Sequence, residues 1–316
     1  MTERPQMNVI AEGRLDEARP GYDHRWFEWS PLPERSNMTW PRSLRTAFAL
    51  VINVSAVEWE DVTAPDPRPD GGRGLGVLPD VPRMSHREFG HRVGIFRLLD
   101  LTRCLGIRPA VAIDVLTAEH YPPVLERVVA DAAEMIAGGM SASRPISSAM
   151  TEDEERDYVD TTLRRLGVAL GQVPAGWLGA GLGESTRTLP ILADAGLAYQ
   201  SDWANDELPY RISGADGDLW SFPLSWELSD WAACHVRGVE ADTWADSVIE
   251  AFDVVHAEGG RAFGLHLQPW ISGQGFRTSA VDRMLKHIRR AEAVWIASPG
   301  EIVDHCRRQD PSHGHS

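Results

Sequence analysis

The chain has 316 residues, 43% of them hydrophobic, and a formal net charge of −15 from 31 basic and 46 acidic side chains. That length carries one large α/β domain with a real core. The acidic balance argues against nucleic acid and anionic membrane surfaces as partners, because phosphate binding needs a basic face.

Residues 1–20 are polar and lack the apolar centre of a signal peptide, and no run of about 18 apolar residues follows, so a cytoplasmic protein is expected. Residues 1–39 are rich in Pro, Arg and Trp. Tyr22, His24, Trp26, Phe27 and Trp29 crowd a short span there, which predicts an irregular arm buried on its own domain or on a neighbouring subunit. The apolar run at 46–54 predicts a strand buried on both faces. Pro, Gly and Asp make 63–83 a long loop. Helical spacing over 85–105 stops at Gly106. A second buried strand is expected at 109–115, a helix at about 122–135, and a short segment to Gly139. Thr151 and Glu154 match a capping box, opening a helix to about Leu170. Strands follow at 176–178, 198–202 and 219–223, with a helix at 189–196 between the first two. A helix at 243–258, a buried strand at 262–267, a helix at 279–291 and a strand at 293–296 complete the pattern. Cys104, Cys234 and Cys306 form no CxxC and read as small buried hydrophobes. Alternating strands and helices argue for parallel pairing with right-handed crossovers. One β/α domain at 40–308 is expected between the arm and a disordered tail at 309–316.

Several blocks in this order carry a resemblance. They are Trp40-Pro41 with residues 47–53, Arg87-Glu88-Phe89-Gly90-His91-Arg92, residues 134–139, and the acidic helix start at 150–156. Further on stand Gly176-Trp177-Leu178-Gly179 with Glu184-Ser185-Thr186-Arg187-Thr188, then Ser201-Asp202-Trp203-Ala204-Asn205-Asp206, residues 222–230, and His266-Leu267-Gln268-Pro269-Trp270. Together they resemble the polysaccharide deacetylase superfamily, in its allantoinase-like and cyclic-imide-hydrolase-like branch, over roughly residues 39–305. The resemblance implies a distorted, incomplete parallel (β/α) barrel with its site at the C-terminal strand ends, and a homo-oligomer. It also implies metal ligands at positions where this chain has Ser55, Gly138, Ser141 and Gln268. Neutral hydroxyls, an amide and a hydrogen atom make a poor ligand set for zinc, so no metal and no cofactor is expected.

Candidates for acid–base work are Glu58, beyond the first strand, and His266, two residues before Gln268 and so on the same strand face. Asp202 and Glu227 join them, since a carboxylate desolvated against Trp203 or Trp226 would have a raised pKa. The candidates for holding a substrate are Ser55, His91, Arg92, Trp177, Trp203, Asn205, Asp206, Trp226, Gln268, Trp270 and Arg277. Each has a plain structural alternative. Glu58 is equally a solvated acid, His91 a satisfied helix histidine, and Asp202, Asn205 and Asp206 a turn. Trp177 and Trp270 are equally core, and Arg277 equally a surface charge. The expected function is a metal-independent enzyme on a small polar molecule, hydrolysing a non-peptide C–N bond. A lyase or C–C-cleaving enzyme, and an inactive binding protein, are the alternatives.

Overall fold

The computed structural model describes residues 26–59, 81–213 and 218–310. Most of the expected 63–83 loop, Tyr22, His24 and residues 311–316 lie outside them.

The first strand, β1 (Thr46–Val54), is buried along its whole length, as a strand covered on both faces must be. Its side chains divide by parity. Ala47, Ala49 and Val51 enter one apolar cluster, and Phe48, Leu50, Ile52 and Val54 enter the other. The first cluster is the barrel interior. It also takes Ala110 and Ala112 of β2 (Ala110–Ile113), Ile136 of β3 (Glu134–Ala137), and Leu178 beyond β4 (Gly176–Trp177). Tyr199 of β5 (Tyr199–Gln200), Trp220 of β7 (Trp220–Ser221) and Ala262 of β8 (Arg261–Leu267) complete it. Alanines on one wall and aromatic rings on the other fill the interior by size complementarity.

With β6 (Tyr210–Arg211) and β9 (Val294–Ile296) the sheet has nine strands, in the order β6-β7-β5-β4-β3-β2-β1-β8, with β9 on β1. Every pair is parallel except β6 with β7. β9 takes the lower part of β1 (residues 46–48) and β2 the upper part (51–54). The barrel is curled and incomplete, since no ladder joins β7 to β8 among the described residues. Side chains close that gap instead. A Cβ on Gly264 of β8 would stand 2.8 Å from Leu224 and 3.0 Å from the Pro223 carbonyl, so only glycine lets the two edges meet.

Ten helices wrap the described sheet: α1 (Val81–Phe89), α2 (Ile95–Cys104), α3 (Val115–His120), α4 (Pro122–Asp131), α5 (Glu152–Leu170), α6 (Thr188–Asp194), α7 (Ala241–Glu258), α8 (Pro269–Ser272), α9 (Gly275–Arg290) and α10 (Pro299–Gln309). The single helix expected at 85–105 is α1 and α2 joined through a π-helical turn at Gly90–Gly94. Packing explains that turn: a Cβ on Gly94 would stand 2.0 Å from the Pro269 carbonyl oxygen, so the backbone lies directly on α8. The helix expected at 122–135 ends at Asp131, and Met135 belongs to β3. The capping box at Thr151 and Glu154 opens α5 as expected. No described helix is long and apolar enough to cross a membrane.

Candidate functional site at the mouth of the barrel

Because the strands run parallel, their C-terminal ends gather at one mouth, where barrels of this kind carry their chemistry. β4 and β5 are neighbours in register, with Trp177 opposite Gln200. The residues just beyond them therefore meet, and Gly179 N donates to Asp202 Oδ1 at 2.7 Å. Beside them is a cavity of about 420 Å³ lined by Phe27, Leu182, Glu184, Asp202, Trp203, Ala204 and Asn205.

Two of the lining residues, Glu184 and Asp202, are acids. Trp203 Nε1 donates to Glu184 Oε2 at 2.8 Å. The other Glu184 oxygen, Oε1, and Asp202 Oδ2 are both out of solvent and make no hydrogen bond among the described residues. Burial, then the neighbouring Glu184 charge, pushes Asp202 well above the carboxylate range. Burial also pushes Glu184 up, to about 7. Two carboxyls this close in a desolvated site cannot both ionise near neutrality. The shifts favour a protonated Asp202 beside a Glu184 that ionises near neutrality. Asp202 as a residue keeps partial exposure, while its Oδ2 touches no solvent.

Gly179 makes this geometry possible. A Cβ there would stand 3.1 Å from both Asp202 Oδ2 and Trp177 Nε1. Gly179→Ala is thus expected to displace the acid and lower turnover by roughly 10- to 100-fold. Steady-state kinetics beside a melting curve would check it, since an unfolded variant would lose both.

No family model matches the chain. A Schizosaccharomyces pombe protein named by inference a polysaccharide deacetylase is 24% identical over 312 residues, covering 86% of this chain and 93% of its own. The crystal structure of Puue allantoinase aligns with a TM-score of 0.76 at 21% identity, over 88% of this chain and 95% of the other. A Pseudomonas aeruginosa PAO1 structure, also named by inference a polysaccharide deacetylase, aligns at 0.75 and 23%, over 88% and 96%. The fold, a curled and incomplete parallel β/α barrel, matches that of these deacetylase-type neighbours.

Deacetylase-type barrels imply a divalent metal at the mouth, and the described residues at the expected ligand positions offer it poor donors. Gly138 has no ligand atom, and a Cβ there would stand 2.9 Å from the Ile113 carbonyl carbon, so backbone fills the place of a longer side chain. The Ser141 hydroxyl donates to Glu58 Oε1 at 2.6 Å. Gln268 Oε1 accepts from Trp270 Nε1 at 2.6 Å. Ser55 is half-buried with no hydrogen-bond partner among the described residues. Among those residues no three of His, Cys, Asp and Glu are grouped to hold an ion.

The remaining candidates scatter. Glu58 is committed to Ser141 and to Arg144 Nη2 at 2.7 Å. Glu227 is 70% exposed in its side chain and paired with Arg237. His266 lies inside the barrel, opposite Val51 of β1. Burial lowers its pKa to about 4, and its Nε2 has no partner, so it is neutral and a weak base. His91 is buried against Tyr121 with Nε2 on Thr117 Oγ1 at 3.0 Å, and Arg92 is exposed. Asp206 shapes a turn, accepting from the backbone of Glu207 and Leu208 and from Arg35. Trp177 is fully buried. Trp226 is half-exposed and packs on Trp231. Trp270 is buried between His86, His235 and Arg87. Arg277 is buried with its guanidinium over Phe276. Of the predicted set, only Asp202, Trp203 and Asn205 share the cavity. Sequence reasoning missed Glu184 and Phe27 as site residues.

Proposed function

We propose that this chain is a metal-independent hydrolase of non-peptide C–N amide bonds. One observation carries the reading: two carboxyls at the barrel mouth, Glu184 and Asp202, which burial holds above the usual carboxylate range beside a cavity. A protonated Asp202 beside an ionised Glu184 supplies acid and base together near neutral pH. The likeness to an allantoinase and to inferred deacetylases supports the choice of a C–N bond.

The chemistry balances without a further reactant. The carboxylate takes a proton from water as the water oxygen attacks the amide carbon. The carboxylic acid gives its proton to the carbonyl oxygen, forming a neutral gem-diol. The acid formed in the first step then protonates nitrogen, and the other carboxylate recovers its proton from a diol hydroxyl. The C–N bond breaks, releasing a carboxylic acid and an amine. Trp203 holds Glu184 and the Gly179 amide holds Asp202, so neither carboxyl has to reorganise during the cycle.

The test is hydrolysis of small amides by protein stripped with a chelator, run in ¹⁸O water with metal analysis alongside. Full activity, with one solvent oxygen in the acid product, is expected. Activity restored only by a divalent ion would end the metal-free reading. Cleavage without ¹⁸O would point to a lyase.

A further inference from the structure

One wall of the cavity comes from outside the barrel. Phe27 belongs to the N-terminal arm, yet it lines the same space as the two acids. Its ring meets Trp203 edge-on at 5.7 Å and 81°, and Tyr210 at 5.1 Å. The arm is tied down on both sides of it. Ser213 N donates to the Trp26 carbonyl at 2.7 Å. Arg35 grips Asp206 through both guanidinium nitrogens, at 2.7 Å each. That pair is largely shielded, with side-chain exposures of 22% and 15%, and the two-pronged geometry is the strong form of such a contact.

The lining has a clear chemical bias. Phe27, Trp203 and Leu182 are flat or apolar, Asn205 is neutral, and no Lys or Arg lines the space among the described residues. Arg35, the nearby cation, is spent on Asp206. An anion entering would meet the half-ionised acid pair with nothing to offset it, and like charges in a desolvated site repel strongly. An uncharged amide meets no such barrier, and a planar body would have two aromatic rings to pack on. Hydrolysis itself then reverses the preference, since the product carboxylate is an anion.

We propose that this pocket selects uncharged amides with a flat, apolar body, and that Phe27, held in place by the Arg35–Asp206 pair, is the residue that selects them. The inference rests on the pocket being the amide site, but selection is read by binding and not by turnover. Calorimetry on the full chain at pH 7.5 would use three probes: benzamide, its isostere benzoate, and acetamide, which has the amide without the flat body. Benzamide is expected to bind at least about tenfold tighter than either of the others. Phe27→Ala is expected to narrow the benzamide-to-acetamide ratio by about tenfold. Arg35→Ala is expected to narrow it too, and to add nothing in the Phe27→Ala background, since Arg35 acts only by placing the ring. A purely structural role for Arg35 would instead add its effect to that of Phe27→Ala. Benzoate binding as tightly as benzamide, or a ratio unchanged by Phe27→Ala, would overturn the selection. If the binding order holds but no amide is hydrolysed, selection stands and the hydrolase reading fails.

Discussion

Asp202→Asn is expected to lower kcat by about 10³-fold, within the usual contribution of acid–base catalysis, while leaving the fold intact. The asparagine keeps the shape of the site. Its carbonyl oxygen can accept from Gly179 N, as Asp202 Oδ1 does at 2.7 Å, and its amide can donate to the Glu184 oxygen that now lacks another partner. What it loses is the Asp202 proton. The wild-type pH profile should rise as the first proton of the pair leaves near 7, the value to which burial brings Glu184. It should fall again at higher pH, where Asp202, held well above the carboxylate range, gives up its proton. The alkaline limb should vanish in the variant. Stability should move the other way. A carboxyl whose folded pKa is raised binds more protons folded than unfolded, so it costs stability as pH climbs above the unfolded value of about 3.9. Asp202→Asn removes that cost. Its melting temperature should therefore exceed that of the wild type, by a margin that widens above about pH 4. Kinetics and melting curves across pH would check both halves. A variant that keeps its activity would sink the dyad.

The buried strands were legible because β1 and β8 are apolar on both faces and nothing competes with that pattern. The start of α5 was legible because its cap is a local device. By the same token α10 was missed needlessly, since Ser298 and Glu301 form a second reciprocal capping box. The π-helical turn at Gly90–Gly94 was not legible. Its cause is backbone contact with α8, far along the chain. Asp202 was read as a residue desolvated by Trp203, and the contact the structure shows is a different one. The Trp203 indole binds Glu184, and Glu184 in turn loads Asp202. Glu184 follows β4 and Asp202 follows β5, so their meeting is a consequence of parallel register and has no signature in local composition. Adjacent strand ends in a parallel barrel were the available signal. Glu58 has an equally distant partner: Arg144, far away in sequence, pairs with it.

Arg187→Ala is expected to cost about 3 kcal/mol, the lower end for breaking a buried ion pair from one side. For a chain of this size that is a fall of roughly 4–6 °C in Tm. Arg187 Nη2 lies 3.4 Å from Glu155, whose side chain on α5 has no exposure at all. Glu155 also accepts from Ser185 Oγ at 2.7 Å and Thr188 Oγ1 at 2.5 Å. Those hydroxyls satisfy its oxygens but cannot balance its charge. Glu155→Gln in the Arg187→Ala background should therefore recover much of the loss, because it removes the uncompensated charge and not merely a contact. Recovery would separate this cause from a simple loss of packing, which Glu155→Gln could not repair. The same network reaches the site. Ser185 and Thr188 flank the turn that follows Glu184, and the Glu155 charge is one of the influences raising the Glu184 pKa. Glu155→Gln alone should thus shift the acid limb of the activity profile to lower pH. An unmoved limb would show that α5 supports the turn without tuning the acid beside it.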